Sequence, residues 1–431
     1  MHILFFTDNF PPEVNAPATR TFEHCREWVK RGHKVTVITG APNFPMGQVF
    51  EGYRNRLRWR ETMEGIEVIR VWTYVTSNEG FLKRILDYVS FMVSAVPASV
   101  GVRDVDVIVA TSPQLFTPCA AYLASLFKRR PFVFELRDLW PESIRAVGAM
   151  KNSRILDLLE QLELFLYRRA AHVVTVTHAF KKNLIDRGIA AEKISVTTNG
   201  ADLYRFRPIP RDEALAARLG FAGKTVVGYV GTHGMAHALD TILRAAERLR
   251  RVPAARDMRF MFLGDGAEKT SLKTMAAESR LDNVIFLDSV PRSEVARYWS
   301  LVDLAVIHLK RTPLFETVIP SKLFECMAMG LPILHGVAGE SARIVTRERC
   351  GVLFQPENSD ELADGILELA SKPVQRQQLS QHGREAATRY DRSVLAAQML
   401  QVLHNVRASR DDISWVRRRT SPGAPPKRVW R

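Results

Sequence analysis

The run from Ile319 to Pro332, Ile-Pro-Ser-Lys-Leu-Phe-Glu-Cys-Met-Ala-Met-Gly-Leu-Pro, sets a cation and a carboxylate three residues apart at the start of a short helix. Ser321 suits the N-cap. Leu323, Phe324, Met327 and Ala328 supply an apolar face, Gly330 suits a left-handed C′ position and Pro332 forbids continuation. Lys322 is the odd residue, because a cation in the first turn opposes the helix dipole at a cost of about 0.3–1 kcal/mol unless an anion binds there. The free first-turn N–H groups and the Lys322 ammonium would together hold a phosphate. Glu325 could accept hydrogen bonds from sugar hydroxyls beside it. On spacing alone, a plain surface pair between Lys322 and Glu325 is equally open.

The elements around this helix favour the phosphate. Strands are expected at 225–230, 259–263, 284–287 and 302–309, alternating with helices. Two tight loops, Gly231-Thr232-His233-Gly234 and Gly264-Asp265-Gly266, follow the first and second of them. The order strand, loop, helix puts Ser321, Lys322 and Glu325 on the carboxyl edge of a parallel sheet, where such sheets bind ligands.

The first half repeats the pattern, with strands at 2–6, 34–39, 107–111, 132–136, 173–176 and 194–197 and a helix at 18–30. The loop from Asp8 to Pro17 has no GxGxxG, which argues against a dinucleotide cofactor. Asp104 and Asp106 precede a strand and so stand at the edge away from ligands; they read as loop acids. Arg137-Asp138-Leu139-Trp140-Pro141-Glu142 follows a strand and is the better active-site candidate. Asn199-Gly200-Ala201-Asp202 is a turn, and Pro208 and Pro210 mark a linker. The expected organisation is α/β: residues 1–205 and 206–385 form two Rossmann-like, doubly wound domains facing each other across a cleft. A helix at 386–406 crosses back to the first domain, and a basic tail at 407–431 is expected to be disordered.

A chain of 431 residues exceeds one ordinary core, and 46% apolar with 25% charged residues is a globular balance. The four cysteines form no CxxC pair, give no metal signature and fit a reducing compartment. Met1 leads directly into an apolar strand, with no secretory signal pattern. The net charge of +15 invites polyanions such as nucleic acid, anionic lipid or phosphorylated substrates. Residues 82–102 are largely apolar but carry Asp87 and Pro97, which favours an amphipathic surface-docking helix with Phe81, Leu82, Leu86 and Phe91 over a membrane span.

The Pro-Ser-Lys-Leu-Phe-Glu-Cys-Met-Ala-Met-Gly-Leu-Pro run resembles the donor-binding helix of the family 4 retaining glycosyltransferases, which have the two-domain GT-B architecture. Asn-Phe-Pro-Pro-Glu-Val-Asn-Ala-Pro-Ala-Thr-Arg, Arg-Asp-Leu-Trp-Pro-Glu and Asn-Gly-Ala-Asp are similar to segments of the same family, and more narrowly of its bacterial branch for O-antigen and capsule repeat units. The resemblance covers residues 1 to about 405.

It implies that Glu325 binds the donor ribose, that Lys322 and the amides of Ser321, Leu323 and Phe324 hold the diphosphate, and that Gly231, Thr232, Gly264 and Gly266 shape the nucleotide site. Asn15 and Ala16 match a place beside the sugar phosphate, and Asp138 lies near where the family presents a His or Asp to the transferred sugar. Glu13, Arg20 and Arg137 fall on the acceptor side.

Two departures stand out. Thr317 occupies a position often held by glutamate, with Glu316 one residue out of register. Thr232, His233 and His237 replace an Arg and a Lys, which shifts diphosphate stabilisation onto Lys322, His233, and Lys310 or Arg311. The resemblance implies a nucleoside-diphosphate sugar, UDP-linked by the family's common habit, as donor. It further implies a metal-independent reaction without a cofactor and retention of configuration. With the basic charge, it fits a polyprenyl-diphosphate-linked acceptor at the inner membrane surface. Rival readings are a nucleotide-sugar 2-epimerase of the same fold and a non-catalytic nucleic-acid-binding protein. The latter is disfavoured because no basic groove is interleaved with aromatics. Donor base, sugar, acceptor and oligomeric state are open.

Overall fold

The structure, a computed structural model, describes residues 1–44, 46–76, 81–139, 142 and 154–419, without the side chains of 81, 82 and 410–419. Trp140 and Pro141 of the Arg137–Glu142 segment lie outside the described residues. The first domain contains β1 (His2–Phe6), α1 (Ala16–Lys30), β2 (Lys34–Gly40), β3 (Arg58–Met63), β4 (Ile66–Val71), α2 (Phe81–Val100), β5 (Val107–Thr111), α3 (Phe116–Lys128), β6 (Phe132–Leu136), α4 (Arg154–Arg169), β7 (His172–Thr175), α5 (His178–Asp186) and β8 (Ile194–Val196). Its sheet runs β3-β4-β2-β1-β5-β6-β7-β8, parallel except for β3.

The central strands are buried along their whole length, as a sheet covered on both faces requires. Alternation sorts their side chains. Leu4, Phe6, Ile108 and Phe134 join one core layer, while Ile3, Phe5, Val107 and Val109 join the other with Trp28. The hairpin β3–β4 was not expected. Its turn, Glu64-Gly65, has positive φ at both residues, and β3 alternates exposed and half-buried side chains as a charged edge strand does.

The second domain contains α6 (Glu213–Arg218), β9 (Thr225–Val230), α7 (Asp240–Arg250), β10 (Met258–Leu263), α8 (Lys269–Glu278), β11 (Val284–Leu287), α9 (Val295–Trp299), β12 (Leu304–His308), α10 (Lys322–Met329), β13 (Ile333–Gly336), α11 (Glu340–Glu348), β14 (Gly351–Leu353), α12 (Ser359–Ser371) and α13 (Pro373–Ala387). Its parallel sheet runs β11-β10-β9-β12-β13-β14. The molecule thus has two Rossmann-like domains.

Helix α14 (Arg392–Arg419) returns to the first domain, where Trp28 Nε1–H donates to Ala396 O at 2.8 Å and Met399 and Leu403 are fully buried. The expected disorder from residue 407 is corrected: the helix continues to Arg419, and Arg407 lies 3.5 Å from Asp106. Residues 420–431 lie outside the described residues.

Two buried carboxylates fasten the domains together. Glu23 of α1 meets Arg392 at 2.8 Å and Arg292, from the loop after β11, at 3.4 Å. Glu340 of α11 accepts from the N–H groups of His178 and Ala179 in the first turn of α5, at 3.0 and 2.8 Å. An anion at that helix end satisfies orphan donors and complements the dipole.

Candidate active site

Helix α10 is positioned by its apolar face. Leu323, Phe324, Met327 and Ala328 are buried, and Phe324 packs on Tyr390 with ring centroids 4.7 Å apart. Gly330 takes the left-handed end, φ 70°. Ser321 stands at the N-cap, but its side chain makes no capping bond and its backbone is already helical. The cap expected of its hydroxyl is therefore not formed; the Leu323 and Phe324 N–H groups instead donate to Pro320 O at 3.0 Å and Ser321 O at 3.2 Å.

Lys322 bends from this end toward β9. Its Nζ is buried, has no hydrogen-bond partner among the described residues, and lies 3.7 Å from the centroid of the Tyr229 ring. Burial pushes its pKa down to about 7, with only a partial counter-pull from Cys326 and Glu325. A Cβ at Gly231 would come within 2.7 Å of Nζ, so glycine there lets the ammonium reach the loop after β9. Tyr229 O–H donates to Thr232 O at 2.8 Å, fixing both the ring and the loop. Thr232 itself is exposed.

The glycines of the next loop serve close packing. A Cβ at Gly264 would meet Gly231 O at 1.9 Å, and one at Gly266 would meet His233 O at 2.5 Å. The two loops therefore lie backbone against backbone, held by His233 N–H to Asp265 O at 2.8 Å. Glu325 lies nearby, 15% exposed, with Arg292 at 3.9 Å. Burial, the main cause, raises its pKa, opposed by Arg292 and reinforced by Glu23.

His233 does not suit the cationic role expected of it. The residue is fully buried, its ring packs near Tyr229, Phe262 and Phe286, and burial followed by Lys269 and Lys322 lowers its pKa to about 4. It is a neutral ring inside the domain. Lys310 and Arg311 are exposed on the β12 loop. Thr317 spends its hydroxyl on Leu314 O at 2.6 Å, and Glu316 is exposed.

On the first domain, Asn15 caps α1 by accepting from Ala18 N–H at 2.9 Å, and Ala16 is exposed beside it. Asp138 is half-buried at the end of β6, its backbone N–H donating to Ser112 Oγ at 3.2 Å.

The acceptor-side expectation fails for Arg20. That residue is 1% exposed, pairs with Glu135 at 2.9 Å and donates to Thr197 O and Thr198 O, so it cross-links α1 to β6 and the loop after β8. Glu13 accepts from Phe10, Asn43 and Phe44 N–H groups and lies at the wall of a cavity beside α2. Arg137 donates to Ala16 O and Pro17 O, both at 3.1 Å, and so fixes the start of α1. Its hydrogen bonds thus hold the loop bearing Asn15.

Tyr229 and Arg292 were missed. Both were visible in the sequence, Tyr229 near the carboxyl end of a strand and Arg292 in the loop after the next edge strand. Neither has a spacing that singles it out. Among the described residues no cluster of His, Cys, Asp and Glu could hold a metal ion.

Two Rossmann-like domains, with a buried lysine at the carboxyl edge of the second sheet, make up the GT-B architecture. Residues 15–200 match the family "Glycosyl transferase 4-like domain" and residues 224–372 match "Glycosyl transferases group 1". WcaI of Escherichia coli, which carries the name of a colanic acid biosynthesis glycosyl transferase, is 27% identical over 383 residues, covering 85% of this chain and 91% of WcaI. A sucrose-phosphate synthase from Thermosynechococcus elongatus superposes with TM-score 0.74 at 16% identity, covering 95% of this chain and 99% of that one. Anabaena HepE, solved with UDP-glucose, superposes with TM-score 0.69 at 20% identity, covering 94% and 100%. This chain belongs to the family 4 glycosyltransferases of GT-B fold.

Proposed function

We propose that the protein is a retaining transferase that moves a sugar from a UDP-linked donor to a lipid-carrier-linked acceptor in cell-surface glycan synthesis. The observation that carries this reading is the Lys322 ammonium at the start of α10, buried with no hydrogen-bond partner among the described residues. Such a group is stabilised by an anion, and a nucleoside diphosphate fits a cation at the positive end of a helix dipole with a neighbouring carboxylate for the ribose hydroxyls. The names of WcaI and of HepE with UDP-glucose support glycan synthesis and a UDP donor. The two glycosyl transferase domain families do not favour the 2-epimerase.

A fixed cation and a helix N-terminus at the leaving diphosphate stabilise its charge as the anomeric bond breaks, without a metal. Retention follows a same-face course: the acceptor oxygen bonds to the anomeric carbon as the bond to the diphosphate oxygen breaks, and that departing oxygen takes the acceptor's proton. Asp138 is the one carboxylate named for a double displacement. Near-normal turnover by Asp138→Asn would exclude it as nucleophile or base. Release of UDP from a UDP-sugar only when a glycolipid acceptor is added tests the transferase; release independent of acceptor would contradict it.

The acceptor's lipid fits the outer faces of α2, α3 and α4. Leu86, Val93, Val100, Leu126, Phe127 and Leu158 are exposed there, and α2 packs beside α3. Lys83, Arg129, Arg130, Arg154, Arg168 and Arg169 are exposed on or just beyond the same helices. An apolar face rimmed with cations matches an anionic bilayer surface. Phe91, expected on that face, is instead fully buried, and no described helix is long and apolar enough to cross a membrane. Sedimentation with phosphatidylglycerol vesicles but not phosphatidylcholine vesicles is the expected result, and equal or no binding would contradict it.

A further inference from the structure

At the carboxyl edge of the first sheet a cavity of about 350 Å³ opens between the β1 loop, the loop after β5 and the first turns of α2. Its polar lining includes Asp8, Glu13, Arg84, Asp87, Tyr88 and Gln114. Gln114 is 2% exposed; its Oε1 accepts from the Thr117 hydroxyl, while its Nε2 donors have no partner among the described residues. A buried amide donor left unpaired is costly, and a ligand oxygen in the cavity relieves that cost.

The carboxyl groups supply the complementary half. Glu13 is taken up by three backbone N–H groups. Asp8 and Asp87 are desolvated and repel each other, with Glu13 adding to the repulsion, so burial pushes Asp8 well above the usual carboxylate range and Asp87 up to about 7. Arg84 is the one guanidinium among the six polar residues named, and it also donates to Tyr88 Oη at 3.2 Å. A hydroxyl both donates and accepts, and so can give its proton to an Asp oxygen while taking one from Gln114. A phosphate or carboxylate offers acceptors alone and so needs both Asp8 and Asp87 protonated, a state lost as pH rises above the Asp87 value of about 7.

We propose that this cavity binds an uncharged, hydroxyl-bearing sugar ring of the acceptor, oriented by Gln114 and the Asp8–Asp87 pair, and rejects a ring bearing phosphate or carboxylate. The role as acceptor site rests on the transferase reading; the ligand chemistry does not.

The test is saturation-transfer NMR of the full chain with UDP present at about pH 8, where Asp87 is ionised. The neutral probes are methyl glucoside, methyl mannoside and methyl galactoside; the anionic probes are glucuronate and glucose 6-phosphate. The expected result is transfer to at least one neutral glycoside, weakened about tenfold by Gln114→Leu, with none to the anions. Asp87→Asn, at the cavity wall, is expected to admit the anions. Anions binding as well as neutral rings, no neutral ring binding, or a folded Gln114→Leu that binds unchanged would overturn the proposal. Calorimetry with UDP on the same samples keeps the two readings apart: sugar binding without UDP binding would sink the donor site and leave the cavity standing.

Discussion

Lys322 makes a prediction that can be worked through from its surroundings. A donor diphosphate beside Nζ favours the ammonium and raises its pKa, so binding draws a proton onto the side chain. From a free value of about 7, about 0.9 of the molecules are neutral at pH 8 and about 0.1 at pH 6. UDP-glucose should therefore bind with uptake of about 0.9 proton at pH 8 and about 0.1 at pH 6. The diphosphate of a nucleotide sugar is a diester with no proton to exchange in this range. His233 and His237, held near 4 and 3 mainly by burial, are neutral at both pH values. Because only the charged form binds well, Kd should rise about tenfold per pH unit above 7 until the bound group itself titrates. Calorimetry in two buffers of unlike ionisation enthalpy reads the proton count. Lys322→Met should abolish the uptake and weaken binding about ten- to a hundredfold, the worth of one charge-assisted hydrogen bond. Uptake near zero at pH 8, or undiminished in Lys322→Met, would refute this reasoning.

Arg20→Met breaks a buried ion pair and two bonds to carbonyls, so it should cost about 3–5 kcal/mol and lower the melting temperature sharply; a normally stable variant with only a raised acceptor KM would restore Arg20 to the acceptor site. Glu340→Ala removes two charge-assisted bonds between the domains and should cost about 1–3 kcal/mol in denaturant unfolding, whereas no change would mean the contact is idle. Gly264→Ala forces a Cβ onto Gly231 O and should abolish UDP binding, read by calorimetry, through displacement of the two loops; retained affinity would show that loop to be remote from the donor.

The two-sheet architecture was legible because strand and helix periods alternate cleanly through both halves. The α10 segment was legible too, since its N- and C-terminal signals bracket one misplaced cation. Four strands were not: edge strand β3 reads Arg-Trp-Arg-Glu-Thr-Met, too polar to mark a strand, and its partner β4 went with it, while β13 and β14 were passed over although β7, β8 and β11 are as short. Charged residues near the ligand edge were harder to sort. Arg20 and Arg137 carry the same guanidinium as a ligand-binding residue, and only the carbonyls they reach, from Ala16 to Thr198, show that they hold the scaffold. His233 has the composition of a site residue, but three aromatic rings from β9, β10 and β11 close around it, a packing that the local sequence does not record. Gln114 was invisible for the opposite reason: a lone amide in a loop acquires meaning only through the partner it lacks.

The most direct measurement is a metal-free calorimetric titration with UDP, GDP and ADP of the native chain, Lys322→Ala and Glu325→Ala. Micromolar binding of UDP, lost in both variants, is the predicted result. Binding that ignores both substitutions, or no binding of any nucleoside diphosphate, would contradict a donor site at the start of α10.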